Sequence, residues 1–162
     1  MKLHRRIKAF FNRIHYKGRL NRMGKKCQII GNAHISRPKN VSIGDNFIMH
    51  SNCYIAAFEK VTISNNVTMS RGSQILTGGY DTDQWTDERY KNRAHKYEPV
   101  VLGDGTWLCV NSIVLPGVSL TGKGIIVAAG AVVTKSFYQD YVVLAGSPAK
   151  IVKVLSDKTD SK

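Results

Sequence analysis

The chain reads as an all-β protein, a parallel β-helix wound as a triangular prism, and two observations carry that reading. Leu102, Leu108, Val114 and Leu120 stand six residues apart, as do Ile43, Met49 and Ile55, and then Ile63, Met69 and Ile75. A helix would repeat at about 3.6 residues and an alternating strand at about 2. A period of six belongs instead to short strands that each form one flat face and point one aliphatic side chain at the axis, three faces closing a coil. The residues between agree. Thr106, Ser112 and Val118, four places after the aliphatics, are small or β-branched, and Gly105, Asn111 and Gly117 supply turn formers for the corners.

The elements follow in order. Residues 2–17 read as a basic amphipathic helix. Leu3, Ile7, Phe10, Phe11 and Ile14 share one face, Arg5, Arg6, Lys8 and Arg13 surround it, and Gly18 is a stop. With a linker it makes an N-terminal segment, 1–26. Such a helix can cap the open first coil, whose edge would otherwise be exposed. It can also lie on an anionic membrane surface. Coils occupy 27–136 and are interrupted twice. Ala57 to Lys60 add two residues at a corner, and Tyr80 to Glu98 form a long excursion whose charged residues mark it as a solvated loop outside the prism. Long loops in compact domains are usually functional. A closing segment and tail, 137–162, ends the chain.

Composition sets bounds. A chain of 162 residues with 43% hydrophobic residues suits one packed domain. Its longest apolar stretch, Ile125 to Val133, is far short of the roughly 20 residues a membrane span needs. No cleavage-site pattern follows an apolar core near Met1, so a secretory signal is not expected. Cys27, Cys53 and Cys109 are scattered and odd in number, which predicts free thiols without metal spacing in a cytoplasmic protein. Of the 24 Lys and Arg behind the net charge of +13, ten fall in the first 26 residues, with no acid among them. The repeat region lacks a basic stripe interleaved with aromatics, so a nucleic-acid partner is not expected. The location expected is the cytoplasm, with a peripheral contact at the inner membrane through residues 2–17.

Four strings in order carry a family likeness: Pro99-Val-Val-Leu-Gly-Asp-Gly-Thr-Trp107, Val114-Leu-Pro-Gly-Val118, Ala129-Gly-Ala-Val-Val-Thr-Lys135 and Ala145-Gly-Ser-Pro-Ala-Lys150. Together they resemble the hexapeptide-repeat acyltransferases, nearest to the galactoside, maltose and surface-polysaccharide O-acetyltransferases. The resemblance implies a left-handed β-helix, itself an exception to the right-handed crossover rule. It also implies a homotrimer with sites between subunits, acetyl-CoA as co-substrate, no metal, and a small-molecule or glycan acceptor. It settles a register too. A strict count of six leads to Ile126 and Val132, whereas the family string turns Val127 and Val133 inward. The extra residue then falls in the turn Thr121-Gly-Lys-Gly124, where glycine absorbs it without turning a strand over.

The reaction so implied moves an acetyl group from coenzyme A to a sugar hydroxyl of a surface glycan or its precursor. It needs a base for the hydroxyl proton, a donor for the tetrahedral oxyanion and a groove for a long anionic co-substrate. Histidine, with an ordinary pKa of about 6.5, suits the first task. The family's histidine follows a Thr-Gly string, but here Thr77-Gly78-Gly79 leads to Tyr80 and Asp81. A phenol with pKa of about 10 is a poor base at neutral pH. The alternatives are His95 folding back from the far end of the excursion, His50 pointing outward toward a neighbouring subunit, or lost activity. Tyr80, as a hydrogen-bonding group, and Asp81, orienting a base or the sugar, join the histidines as catalytic candidates, and Asn52 and Tyr80 are candidate acceptor contacts. An amino-sugar N-acetyltransferase or a silent trimeric scaffold would also accommodate Tyr80. On the co-substrate side the resemblance implies that Val110 and Ala129 line the pantetheine groove, that Thr134 and Lys135 follow, and that Lys150 and Lys153 meet the adenosine phosphates. Trp107 reads as a structural cover on the outer face.

Overall fold

In a computed structural model describing residues 15–86 and 88–156, the chain forms a parallel β-solenoid. The first coil holds β1 (Arg22–Met23), β2 (Gln28–Ile29) and β3 (His34–Ser36). The second holds β4 (Val41–Ile43), β5 (Ile48–Met49) and β6 (Tyr54–Ala56), and the third β7 (Val61–Ile63), β8 (Thr68–Met69) and β9 (Gln74–Leu76). The excursion carries β10 (Gly78–Tyr80) and β11 (His95–Tyr97). Coils resume with β12 (Val100–Leu102), β13 (Trp107–Leu108) and β14 (Ile113–Val114), then β15 (Ser119–Leu120), β16 (Ile126–Val127) and β17 (Val132–Val133). A hairpin of β18 (Val142–Gly146) and β19 (Ala149–Val154) closes the end, its turn containing a cis Ser147–Pro148 bond. The prism thus opens at Arg22, inside the stretch read from sequence as linker.

The strands stack into three faces. Face one is β1-β4-β7-β12-β15, face two runs from β2 through β5, β8, β13 and β16 to β18 and β19, and face three is β3-β6-β9-β14-β17. Pairing joins equivalent positions, for example Ile43 with Ile63 and Met49 with Met69, so each axial residue lies on its counterpart a coil away. Every member of the six-residue series is buried. Val127 and Val133 are fully buried while Ile126 and Val132 are not, so the inserted residue does lie in the Thr121–Gly124 turn. The small positions are buried as well and satisfy themselves locally: Thr106 Oγ1 donates to the Gly103 carbonyl and Ser112 Oγ to that of Cys109, both at 2.8 Å.

Corners take the left-handed backbone that flat faces cannot. Asn46, Asn66 and Gly105 stack at one edge with positive φ, and Asn52, Gly72, Asn111 and Gly130 at the next. Asparagine also links the coils: Asn46 Nδ2 donates to Asn66 Oδ1 at 3.0 Å, and Asn66 Nδ2 to Asp104 Oδ1 at 3.1 Å. The helix expected over 2–17 lies outside the described residues except for its last turn, His15 to Lys17, which is helical. There Tyr16 and Leu20 are buried against the first coil, and Tyr16 Oη accepts from the Ile35 amide at 3.2 Å. The Cys27 and Cys53 side chains are buried and that of Cys109 is half-buried, and none of the three is in a disulfide.

Candidate active site

Faces three and one meet at a single corner, and there the chain repeatedly adds residues. After the first coil Arg37 takes a positive φ and Pro38–Asn40 make a short 3-10 turn. After the second, Ala57 is buried and Phe58 is turned outward. After the third the whole excursion leaves. It is not a structureless loop: β10 and β11 pair antiparallel, with Gly78 opposite Tyr97 and Tyr80 opposite His95.

Thr77 anchors the root of this arm. Its fully buried hydroxyl donates to the Ala56 carbonyl at 2.8 Å and accepts from the Glu59 amide at 2.9 Å. The Thr77 carbonyl accepts from the Glu98 amide at 2.9 Å, where the chain returns. Gly78 comes next because a side chain there is blocked. A Cβ would lie 2.4 Å from Tyr97 Cδ1, whereas nothing stands within 4 Å of one on Gly79. Tyr97 therefore lies across the bare backbone of Gly78.

This geometry brings His95 back to Tyr80. Their ring centroids are 4.8 Å apart, and His95 also stacks on Tyr97 at 5.8 Å. Asp81 is adjacent in sequence, but its carboxylate accepts from the Asp83 amide at 3.1 Å and caps the 3-10 turn Thr82–Gln84. It makes no hydrogen bond to a histidine among the described residues. His50 and Asn52 stand at a different corner, between faces two and three. His50 is exposed and directed outward, and Asn52, at φ 63°, donates its amide to Asn32 Oδ1. The αL corner favours an asparagine there.

The co-substrate set brackets face three. Val110 and Ala129 are exposed on successive coils at one edge, joined by the Gly130 amide donating to the Val110 carbonyl at 2.9 Å. Thr134 and Lys135 are exposed at the other edge. Lys150 and Lys153 lie in β19, three residues apart, a spacing that puts side chains on opposite faces of a regular strand. Here Val143 pairs with Lys153 and Leu144 with Ile151, so Val152 is an extra, bulged residue. The bulge restores both lysines to one side, opposite Ala145 and Val143 and away from buried Leu144. Trp107 covers face two as expected, with Nε1 donating to Ser70 Oγ at 2.9 Å. Burial raises the Cys109 thiol pKa above its ordinary 9.0, and raises that of Cys53 against several hydrogen bonds. Among the described residues no cluster suits a metal ion.

Sequence reasoning missed three parts of this region: Phe58, Tyr97 and the Val152 bulge. The two-residue excess at Ala57–Lys60 was a usable signal for the first, since an exposed aromatic in an insertion has no core role to explain it. Pairing decides the other two.

A β-solenoid with a paired arm at one corner and two lysines aligned at its closing hairpin defines a repeat-built protein whose non-repeating residues gather at corners. Comparison with known proteins narrows this. No protein-family model matches the chain. A Dictyostelium discoideum protein named putative acetyltransferase is 30% identical over 138 residues, covering 85% of this chain and 70% of that protein. One of Saccharomyces cerevisiae, named likewise, is 34% identical over 119 residues, but the chain spans only 58% of its length. Among solved structures, galactoside acetyltransferase in complex with coenzyme A aligns at TM-score 0.80 and 26% identity, over 88% of this chain and 68% of that one. A maltose O-acetyltransferase from Clostridium difficile aligns at 0.78 and 25%, over 88% and 73%. A hexapeptide-repeat acetyltransferase of Vibrio cholerae, complexed with acetyl coenzyme A, shares the fold at 0.82 and 23%, over 91% and 79%. The chain belongs to the hexapeptide-repeat acetyltransferases.

Proposed function

We propose that the protein transfers an acetyl group from acetyl-CoA to a hydroxyl of a sugar, as part of a surface glycan or its precursor, in sites formed between subunits of a homotrimer. The observation that carries this is the β10–β11 pairing, which sets a histidine beside Tyr80, where the family likeness calls for one. His95 is the base in this reading. It takes the hydroxyl proton as the sugar oxygen attacks the thioester carbon, the carbon–sulfur bond breaks, and the thiolate leaves to be protonated. Tyr80 Oη donates to the acceptor or to the developing oxyanion. His50 and Asn52 touch the acceptor from a neighbouring protomer, since they occupy another edge of the prism. Asp81 acts on the arm through its turn.

Support for the coenzyme side comes from Val110 and Ala129, which leave the edge of face three open to a pantetheine arm, with Thr134 and Lys135 beyond. The shared side of Lys150 and Lys153 suits adenosine phosphates. Trimerisation would cover the outward apolar residues of the last coils, Val110, Ile113 and Leu115. The location proposed is the cytoplasm, with residues 2–17 touching the inner membrane. No helix among the described residues is long and apolar enough to cross a membrane.

An amino sugar is the second reading. A neutral amine needs less help from a base, which suits a site where tyrosine stands for histidine. Free-thiol release from acetyl-CoA, measured over hydroxyl and amino sugars, separates the two. His95→Ala should lower turnover about 10²- to 10⁴-fold with coenzyme A binding intact. Full turnover in that variant would move the base elsewhere. Absence of release with every acceptor in the panel, alongside intact coenzyme A binding, would favour a silent scaffold. A monomer in sedimentation at micromolar concentration would end the trimer.

A further inference from the structure

The added residues at the corner between faces three and one form one continuous surface. The Arg37 guanidinium lies 4.6 Å from the centroid of Phe58. Phe58 stacks on Tyr97 at 5.6 Å, Tyr97 on His95 at 5.8 Å, and His95 meets Tyr80 at 4.8 Å. Trp85 extends the row past Tyr80 at 5.3 Å. These rings are not core residues left slightly open: Phe58 is 37% exposed, Tyr97 45% and Tyr80 49%. The stack exists because each added segment sits a coil above the last, and because Gly78 leaves room for Tyr97.

Arg37 belongs to a second feature as well. With Arg19, Lys39 and Asn40 it lines a cavity of about 510 Å³ beside the first coil. No Asp or Glu precedes Asp45 in the sequence, and among the described residues no carboxylate pairs with these three cations. Arg19 instead contacts His15, Nη1 to Nε2 at 2.6 Å. The cavity is therefore a concentration of unneutralised positive charge that opens onto one end of an aromatic row. The other end of that row is the proposed base.

We infer that the acceptor is an extended saccharide chain with a phosphate at one end. The phosphate seats among Arg19, Arg37 and Lys39, and the sugars run along Phe58 and Tyr97 to the hydroxyl that His95 deprotonates. The inference rests on the acetyl-transfer reading for its direction but not for its binding chemistry. Tyr97 is stacked between Phe58 and His95, so the row presents ring edges with their hydroxyl and imidazole groups, and the hydroxyls of a saccharide meet those polar rims along a wet, half-open path. Arginine suits a phosphate by its planar fork. The successive spacings along the row are each close to the length of one hexose unit, so a lone monosaccharide cannot fill both ends. Charge argues for this occupant over a second copy of the chain. A protein surface laid here would have to bring its own acids to three cations, in a chain with 24 basic and 11 acidic residues.

The test titrates the full chain, without acetyl-CoA, with glucose 1-phosphate, maltotriose and maltotriose 1-phosphate, following fluorescence of Trp85. The same three sugars are then assayed as acceptors. Maltotriose 1-phosphate should bind at least tenfold tighter than either simpler sugar. Arg37→Gln should remove the gain from phosphate, and Phe58→Ala the gain from chain length, both with coenzyme A affinity unchanged. Equal affinities for the three, or gains that survive both substitutions, would overturn the inference. So would a Phe58→Ala variant whose main change is its oligomeric state. The two readings fail separately: graded binding without acetyl transfer sinks the enzyme and leaves the subsite standing, whereas transfer with flat binding does the reverse.

Discussion

Gly78 and Gly79 look interchangeable in sequence, and the structure makes them opposites. In Gly78→Ala the new Cβ would stand 2.4 Å from Tyr97 Cδ1 and 2.8 Å from Cε1. Carbon atoms settle about 3.5–4.0 Å apart, so the ring must retreat by more than about 1 Å. It can do so, because Tyr97 is 45% exposed and nothing else pins it as tightly. The retreat gives up its stacks on Phe58 and His95, worth about 0.5–1.5 kcal/mol each when well formed and less when wet. Against that, alanine in a strand gains roughly 0.5–1 kcal/mol over glycine. Net stability should therefore move by less than about 1 kcal/mol, at most a few degrees in Tm. Turnover should not be spared. His95 loses the ring that holds it from one side, so kcat/KM for a sugar acceptor should fall by roughly tenfold, an effect of about 1.4 kcal/mol on the barrier. Gly79→Ala should leave both quantities alone. Thermal melts and thiol-release kinetics on the two variants decide the matter. Equal turnover in both would mean that Tyr97 does not position His95, and the arm would lose its claim to the site.

Thr77→Val removes a hydroxyl that serves two backbone groups and leaves the half-buried Glu59 amide without its partner. A loss of about 1–3 kcal/mol in denaturant unfolding is expected, mostly recovered by Thr77→Ser, and a loss below about 0.5 kcal/mol would contradict the anchor. Lys150→Ala and Lys153→Ala should each weaken coenzyme A by roughly 0.5–2 kcal/mol in calorimetry, with a smaller loss for dephospho-coenzyme A if either lysine meets the ribose phosphate. Deleting Val152 removes the bulge but leaves the lysines two apart on a regular strand, again on one side, so coenzyme A affinity should be largely kept, and a loss as large as that of either lysine substitution would remove the alignment argument. Burial raises the Cys109 thiol pKa above its ordinary value, so little thiolate exists at neutral pH. Its alkylation should be slow at pH 7, accelerate as pH rises well into the alkaline range, and slow again when coenzyme A covers neighbouring Val110. An alkylation rate flat in pH, or indifferent to coenzyme A, would refute one or other half.

The prism was legible because its rule is local and repeated. One aliphatic every six residues fixes faces, axis and register, and the family string alone places the seven-residue step from Leu120 to Val127 in a glycine turn. The site was legible only in part. Tyr80 in place of a histidine is visible in the sequence, and so is the presence of His95 fifteen residues on, but their pairing depends on where the arm turns. No period announces that. The sequence likewise shows Lys150 and Lys153 but not that they share a side, because one bulged residue inverts the alternation.

The division between what repeats and what does not has a physical cause that also bears on the proposed site. A residue in a face touches equivalent residues in the coils above and below, so a change there must suit three coils at once. At a corner only the turn must close, and added residues leave the stack undisturbed. The corner between faces three and one exploits this freedom by degrees. Ile35 to Ile43 and Ile55 to Ile63 each take eight residues where Val114 to Leu120 takes six, and Ile75 to Leu102 takes twenty-seven. The short additions are not incidental to the long one. Arg37 and Phe58 come from them, and they carry the row of rings from the basic cavity to the arm. A mutational scan that ignored the corners' stacking would treat these as three unrelated loops. If they form one surface, Arg37→Gln and Phe58→Ala should alter acceptor selection while leaving the melting of the prism untouched, and face substitutions such as Leu108→Ala should do the reverse, costing about 2–5 kcal/mol of stability.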